Sequence, residues 1–465
     1  MAELLLAHGY FLYEDPKELQ IMKPYAPLGI LYLCSHLRRK GFDVDVFDTT
    51  FSSREALFRH LRSEQPSVLG IYANLMTRKN VVETLKVARE AGWKTIVGGP
   101  EPGAYALEYL QAGADFVVFG EGELTVEELL ESFRARSTNA HAAIAGIAYL
   151  DADGKMHETP QRTQISDLDS QPWPARQAID IHRYVKTWRD AHGKGSVNFI
   201  TARGCPYKCR WCSHQVFGQT HRRRNPLLVV DEVEWLLNTY SPDMVWVSDD
   251  VFTINHAWLR TYAAEMRSRN LRIPFECISR ADRLNPEMLD LLAELGCFRI
   301  WIGSESGSQR ILDSMDRGVK IEQVQQAVAM SRERGIQSGM FLMWGYEGEE
   351  LEDIEATIRH VSTSQPDIFF TTVSYPIKGT PYYKKMSDRL VQLQPWATSS
   401  DRELKIKGRH SQRFYSYADR LLKEEVQLAR MAGTPAANSE SAASLRQSIE
   451  QARAGLLSTV AEVDA

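Results

Sequence analysis

The chain has 465 residues, a formal charge of −5 from Lys+Arg 55 against Asp+Glu 60, and 43% hydrophobic residues. At roughly 100–200 residues per domain, this length implies two or three domains. The charge balance argues against a nucleic-acid partner, which needs a basic face, and no apolar run of about 18 residues is present, so no membrane span is expected.

Residues 1–7 are apolar with no basic residue before them, which is not the layout of a secretory signal and reads as a first buried strand. Through residues 2–135, strand-like and helix-like segments alternate. Strands are predicted at 3–7, 43–48, 68–73, 95–97 and 116–119, and helices at 28–39, 81–91 and 126–133. This alternation implies a doubly wound, Rossmann-like parallel sheet, which binds ligands at the carboxyl ends of its strands. Residues 147–150 and the 151–155 turn predict a small hairpin, and the proline-punctuated stretch 167–174 reads as a linker.

Alternation resumes at 197–385. Strands are predicted at 197–201, 244–247, 275–279, 298–302, 339–344 and 368–375, with helices such as 229–237, 286–295 and 323–334 between them. Six strand–helix units in about 180 residues fit an open, partial (β/α)6 barrel. Helices are predicted at 421–431 and 445–463, joined by a tether of small and polar residues at 432–443. The expected domains are therefore 1–140, a linker with hairpin at 141–196, 197–385, and a mainly helical region 386–465, in an α/β fold.

The six cysteines are Cys34, Cys205, Cys209, Cys212, Cys277 and Cys297. A disulfide scaffold would be small and cysteine-dense, so a reducing, cytoplasmic setting fits. Cys34, Cys277 and Cys297 sit in apolar contexts and read as small core residues. Cys205, Cys209 and Cys212 lie in one loop after a predicted strand, at x3 and x2 spacing, with Gly204 available for a tight turn. Thiolates are soft ligands that select iron–sulfur clusters or zinc. Four thiolates close a cluster, whereas three leave one iron open to an external ligand. A Cys3His zinc site with His214 as fourth ligand is the alternative.

The spacing resembles the radical S-adenosylmethionine (SAM) signature C-x3-C-x-aromatic-C, with Trp211 in the aromatic place. The resemblance implies a 4Fe–4S cluster whose open iron binds SAM, cleaved after electron transfer to a 5′-deoxyadenosyl radical. It also implies an electron donor such as a flavodoxin or ferredoxin. Further residues follow in the family's order at predicted strand ends. Ser248, Asp249 and Asp250 would meet the SAM amino end, and Arg280 would pair with its carboxylate. Gly303, Ser304 and Glu305 would lie near the ribose, and Met343 near the adenine. The fifth-strand motif departs from Gly-x-Pro-Gly-Glu, reading Gly345-Tyr-Glu-Gly348-Glu349.

Residues 24–33, 98–101 and 120–123 resemble the cobalamin-binding domain of class B radical SAM enzymes. Candidate contacts are Asn74 and Thr77, then Gly98, Gly99, Pro100 and Glu101, then Gly120, Glu121 and Gly122. A Rossmann-like domain that has lost its cofactor, or serves only for docking, is the alternative. Asp190-Ala-His192-Gly-Lys-Gly195 matches D-x-H-x-x-G, whose histidine ligates cobalt elsewhere. It lies in the linker, outside that pattern's structural context, so no cobalt-ligating histidine is expected from the domain. The run His221-Arg222-Arg223-Arg224 reads as a solvated face.

The resemblance covers residues 1–385 and implies a cobalamin-dependent radical SAM enzyme acting on a small molecule. A methyltransferase for an unactivated carbon comes first, and a cyclase or rearrangement enzyme without methyl transfer second. A non-catalytic metal-binding scaffold is a third reading. No catalytic side chain is assigned.

Overall fold

The computed structural model describes residues 2–135, 140–432 and 434–464. The chain forms two compact units. The first comprises Met1–Pro206, Ser213–Trp246 and Gln394–Arg402, and the second Tyr207–Cys212, Val247–Leu393 and Glu403–Ala465.

A seven-stranded sheet organises the first unit. Its strands are β1 (Leu4–His8), β2 (Val44–Val46), β3 (Val68–Tyr72), β4 (Lys94–Gly98), β5 (Phe116–Val118), β6 (Ile147–Leu150) and β7 (Met156–Glu158), ordered β2-β1-β3-β4-β5-β6-β7. Pairing is parallel from β2 to β5 and antiparallel from β5 to β7. The predicted hairpin therefore exists, but it extends the main sheet. Leu5 and Ala7 pack into one core cluster while Leu4 and Leu6 pack into the other. Burial on both faces is why these strands are continuous apolar runs. Helices Leu28–Arg39, Arg54–Ser63, Arg78–Glu90 and Glu123–Arg134 supply the facing side chains. Arg54–Ser63 escapes the sequence reading because only Leu57 and Leu61 are buried on an otherwise polar helix. The same unit holds β8 (Ser196–Phe199), the short antiparallel pair β9 (Ala202–Arg203) and β10 (Arg222–Arg223), and the start of β11 (Met244–Val247), which lies beside β8.

The second unit carries four parallel strands ordered β15-β14-β13-β12: β12 (Phe275–Ser279), β13 (Cys297–Glu305), β14 (Gln337–Trp344) and β15 (Ile368–Val373). Helices His256–Ser268, Pro286–Leu295, Ile321–Glu333 and Leu351–Ser364 alternate with these strands. Asn285 caps one helix through Met288 N, with Pro286 at its first turn. Two long helices follow, Gln412–Met431 and Glu440–Ser458, packed on each other. The second starts inside the expected tether, with Ser439 accepting from Ala442 N as its cap; residue 433 of that tether lies outside the described residues. Among the described residues, no helix is long and apolar enough to cross a membrane.

Candidate active site

The cysteine loop begins with a backbone that other residues rarely adopt. Gly204 has φ +84°, and a Cβ there would lie 2.3 Å from the Thr220 carbonyl oxygen. Cys205 is half-buried and belongs to the first unit, while Cys209 is buried, Cys212 is exposed, and both belong to the second. Within the second unit the loop is held by backbone bonds on both sides of Arg210. Its N–H donates to Met315 O at 3.0 Å, and its carbonyl accepts from Tyr382 N at 2.9 Å. Trp211 packs against the cluster formed by Met315, Met343, Tyr346 and Tyr382. That contact gives the aromatic position a packing role against the cluster that also holds Met343.

Charged side chains surround this half of the loop. The Arg280 guanidinium stacks 3.5 Å above the Tyr207 ring centroid, and Arg283 Nε donates to the Tyr207 hydroxyl. Arg280 is 1% exposed; Nε donates to Asp282 at 2.8 Å and Nη2 to Arg317 O at 2.9 Å, leaving Nη1 buried without a partner. A buried guanidinium N–H with no acceptor is costly unless a ligand supplies one. Arg317 places Nη2 2.8 Å from Gly303 O and Nη1 3.8 Å from Cys209 Sγ. Glu305 stands at φ +62°, a left-handed backbone for a non-glycine residue, with Oε1 3.9 Å from Arg317 Nε. Burial pushes its carboxyl up, against the pull of Arg317 and Arg280. Asp249 is buried and Asp250 exposed. Crowding by protein and the neighbouring Asp249 charge raise the Asp250 carboxyl. Ser248 is half-buried.

Ser304 departs from the expectation of a ribose-side group. It sits at a break in the β13–β14 register, between Gly303 and Glu305, and its hydroxyl lies 3.0 Å from His360 Nε2 on helix Leu351–Ser364. Burial lowers the His360 imidazole to about 4, so it is neutral at physiological pH.

Among the described residues, no three His, Cys, Asp or Glu side chains form a group that could hold a metal ion. His214, the fourth ligand of the zinc alternative, belongs to the first unit, and its Nε2 is buried without a partner. A cube of iron and sulfide takes its thiolates at separate corners, so its donors stand further apart than those of a single ion. The buried cation Arg317, aimed at Cys209 Sγ, suits a thiolate-bound anionic cluster.

In the first unit, the expected corrinoid contacts follow β3, β4 and β5, three neighbouring strands, so their loops share one carboxyl edge. Gly99 has φ +120°, and a Cβ there would sit 2.3 Å from Ala73 O and 3.1 Å from the Tyr72 ring. Gly98, Pro100, Gly120 and Gly122 are half-buried. This side-chain-poor edge suits a flat macrocycle. Asn74 and Thr77 instead hold their own turn: Asn74 Oδ1 accepts from Met76 N and Thr77 N, and Thr77 Oγ1 from Asn74 N. That turn presents Met76, 54% exposed.

Both acidic candidates at this edge are committed to arginines. Glu101 accepts from Arg78 Nε at 2.7 Å and from the Tyr109 hydroxyl at 2.7 Å, and Arg78 Nη2 also reaches Asp401 at 2.7 Å. Glu121 takes Arg203 Nη1 and Arg222 Nη1, each at 2.7 Å, while Arg203 Nη2 reaches Glu123. The basic run is therefore no solvated face: Arg222 sits on β10 paired to Glu121, and the buried Arg224 bonds Glu232. His192 ends helix Ile181–His192, with Nε2 2.9 and 3.1 Å from the carbonyls of Ile21 and Met22. Cys34 and Cys277 are fully buried and Cys297 nearly so; burial pushes the Cys34 thiol up to about 11, as for inert core residues.

The family model for the radical SAM superfamily matches residues 199–361, and that for the B12 binding domain matches residues 21–130. An uncharacterized methyltransferase, PH0819 of Pyrococcus horikoshii, is 28% identical over 397 residues, spanning 82% of this chain and 83% of that protein. The anaerobic magnesium-protoporphyrin IX monomethyl ester cyclase of Cereibacter sphaeroides is 27% identical over 387 residues, 80% of this chain and 62% of the cyclase. Among solved structures, the radical SAM methyltransferase TsrM of Kitasatospora setae superposes with TM-score 0.69 at 20% identity, covering 83% of this chain and 76% of TsrM. At that identity the likeness concerns the fold. The chain therefore carries a B12 binding domain followed by a radical SAM domain, on a fold similar to that of a radical SAM methyltransferase.

Proposed function

We propose that the enzyme transfers a methyl group from SAM to an unactivated carbon of a small molecule in the cytoplasm, drawing electrons from a flavodoxin or ferredoxin. One observation carries the reading: similarity to a protein named as a methyltransferase runs through both domains and over most of both chains. When bound, the reduced cluster and SAM supply a 5′-deoxyadenosyl radical, and cobalamin supplies a methyl carrier.

The chain's own residues bind and orient. Cys205, Cys209 and Cys212 would hold the cluster through their thiolates. Arg280 Nη1, already stripped of water, offers its N–H to the SAM carboxylate at little reorganisation cost. Ser248, Asp249 and Asp250 receive the amino end, Glu305 the ribose, and Met343 with Trp211 gives an apolar wall. The glycine edge at Gly98–Pro100 and Gly120–Gly122 accepts the macrocycle.

A second reading, cyclisation or rearrangement without methyl transfer, is favoured by the similarity to the porphyrin ester cyclase over 80% of the chain. Protein loaded anaerobically with iron, sulfide and hydroxocobalamin, then given methyl-labelled SAM and reductant, separates the two. Label on the bound corrinoid supports methyl transfer. Formation of 5′-deoxyadenosine with unlabelled corrinoid supports the second reading, and absence of both overturns each.

A further inference from the structure

Arg317 is the residue of the second unit that sequence reasoning missed. It follows the short helix Gln309–Ser314, at Asp316-Arg317-Gly318, and is 7% exposed. Its guanidinium is fixed from two sides: Nε and Nη2 donate to Gly303 O at 3.3 and 2.8 Å, and Nη1 points to Cys209 Sγ at 3.8 Å. Gly303 makes the room, since a Cβ there would fall 2.7 Å from Arg317 Nη2 and 2.6 Å from Glu305 Oε1. The nearest carboxylate, Glu305, is 3.9 Å from Nε, beyond hydrogen-bond distance, so it offsets the cation incompletely. A buried, weakly compensated positive charge held against a thiol has a direct electrostatic consequence.

We infer that Arg317 is a positioning and tuning residue that donates to the Cys209 thiolate and makes the cluster easier to reduce. The inference rests on the cluster assignment above. One electron from a low-potential donor adds one unit of negative charge beside Cys209, and the fixed guanidinium stabilises that reduced state over the oxidised one. Hydrogen bonds to cluster sulfurs and local charge are established means of setting such potentials.

The test is an anaerobic redox titration of reconstituted protein, followed by the electron paramagnetic resonance signal of the reduced cluster, without SAM. Arg317→Gln should lower the ratio of reduced to oxidised cluster roughly tenfold at the wild-type midpoint, a shift of about 59 mV for one electron. Arg317→Lys keeps the charge and should move it less. Gly303→Ala, which displaces the guanidinium without altering its charge, should shift it in the same direction as Arg317→Gln, and this decides the matter if Arg317→Gln fails to hold a cluster. Unchanged midpoints in both Arg317→Gln and Gly303→Ala, with intact clusters, overturn the inference and leave Arg317 a structural tie to Gly303. A wild-type protein that binds no cluster would instead overturn the assignment beneath it.

Discussion

The backbone N–H of Gly345 donates to Glu349 Oε2, while Oε1 of the same carboxyl is buried without a partner. This pair closes the loop in which the sequence departs from the family's usual motif. Burial pushes the Glu349 carboxyl up to about 8, so it is protonated at neutral pH. The unfolded chain loses that proton near the ordinary value of 4.5, so between about pH 4.5 and 8 the folded state binds more protons and stability falls as pH rises. Glu349→Gln keeps the acceptor for Gly345 N and removes the titration. We expect the variant to flatten the stability–pH slope over this window and to gain about 4 kcal/mol at pH 8. Thermal unfolding from pH 5 to 8 checks this, and parallel slopes would refute it.

Arg78 bridges two carboxylates, Glu101 and Asp401, and all three side chains are buried. The Tyr105 hydroxyl donates to Asp401 at 2.6 Å, and its ring lies 4.5 Å from the guanidinium. Removing one partner of such a group strands the others in low dielectric. Arg78→Met should cost about 3–5 kcal/mol. In a double-mutant cycle with Asp401→Asn the losses should be strongly non-additive. Additive losses in denaturant titrations would show that the two residues do not act together.

Cys209→Ala should abolish both the broad visible absorbance of the reconstituted cluster and 5′-deoxyadenosine formation. Arg280→Lys should keep the absorbance yet raise KM for SAM about tenfold, since a lysine cannot reproduce the fork that leaves Nη1 available. Retention of wild-type KM would remove Arg280 from the SAM site.

His192 faces two backbone carbonyls. His192→Ala should therefore leave the visible spectrum and the stoichiometry of bound cobalamin unchanged. A spectral change at the cobalt would revive the D-x-H-x-x-G reading.

The strand–helix alternation was legible because parallel strands covered on both faces must be apolar throughout. Helix Leu28–Arg39 and strands β11 and β12 begin and end where the pattern says. What was not legible depends on partners remote in sequence. Residues 147–155 read as a small hairpin within the linker, since nothing local reveals that β6 pairs with β5. Glu101 and Glu121 looked like ligand-facing acids, but the arginines that claim them lie at positions 78, 203 and 222. Ser304 and Glu305 are adjacent in sequence yet meet different partners, His360 and Arg317, so a polar cluster at a strand end is half site and half scaffold. Arg317 carries no sequence mark beyond an Asp-Arg-Gly turn; only folding brings it to Cys209.

Residues Gln394–Arg402 belong to the first unit although the chain on either side of them belongs to the second. Trp396 and Asp401 complete packing that residues 1–135 cannot finish alone. A polypeptide ended after β15 would look whole by its strand–helix count, yet it would leave Arg78 with one counter-ion in place of two. The linear order of the gene thus hides a late donation to the first-made half. Nascent chains should complete their amino-terminal unit only after some four hundred residues have been translated.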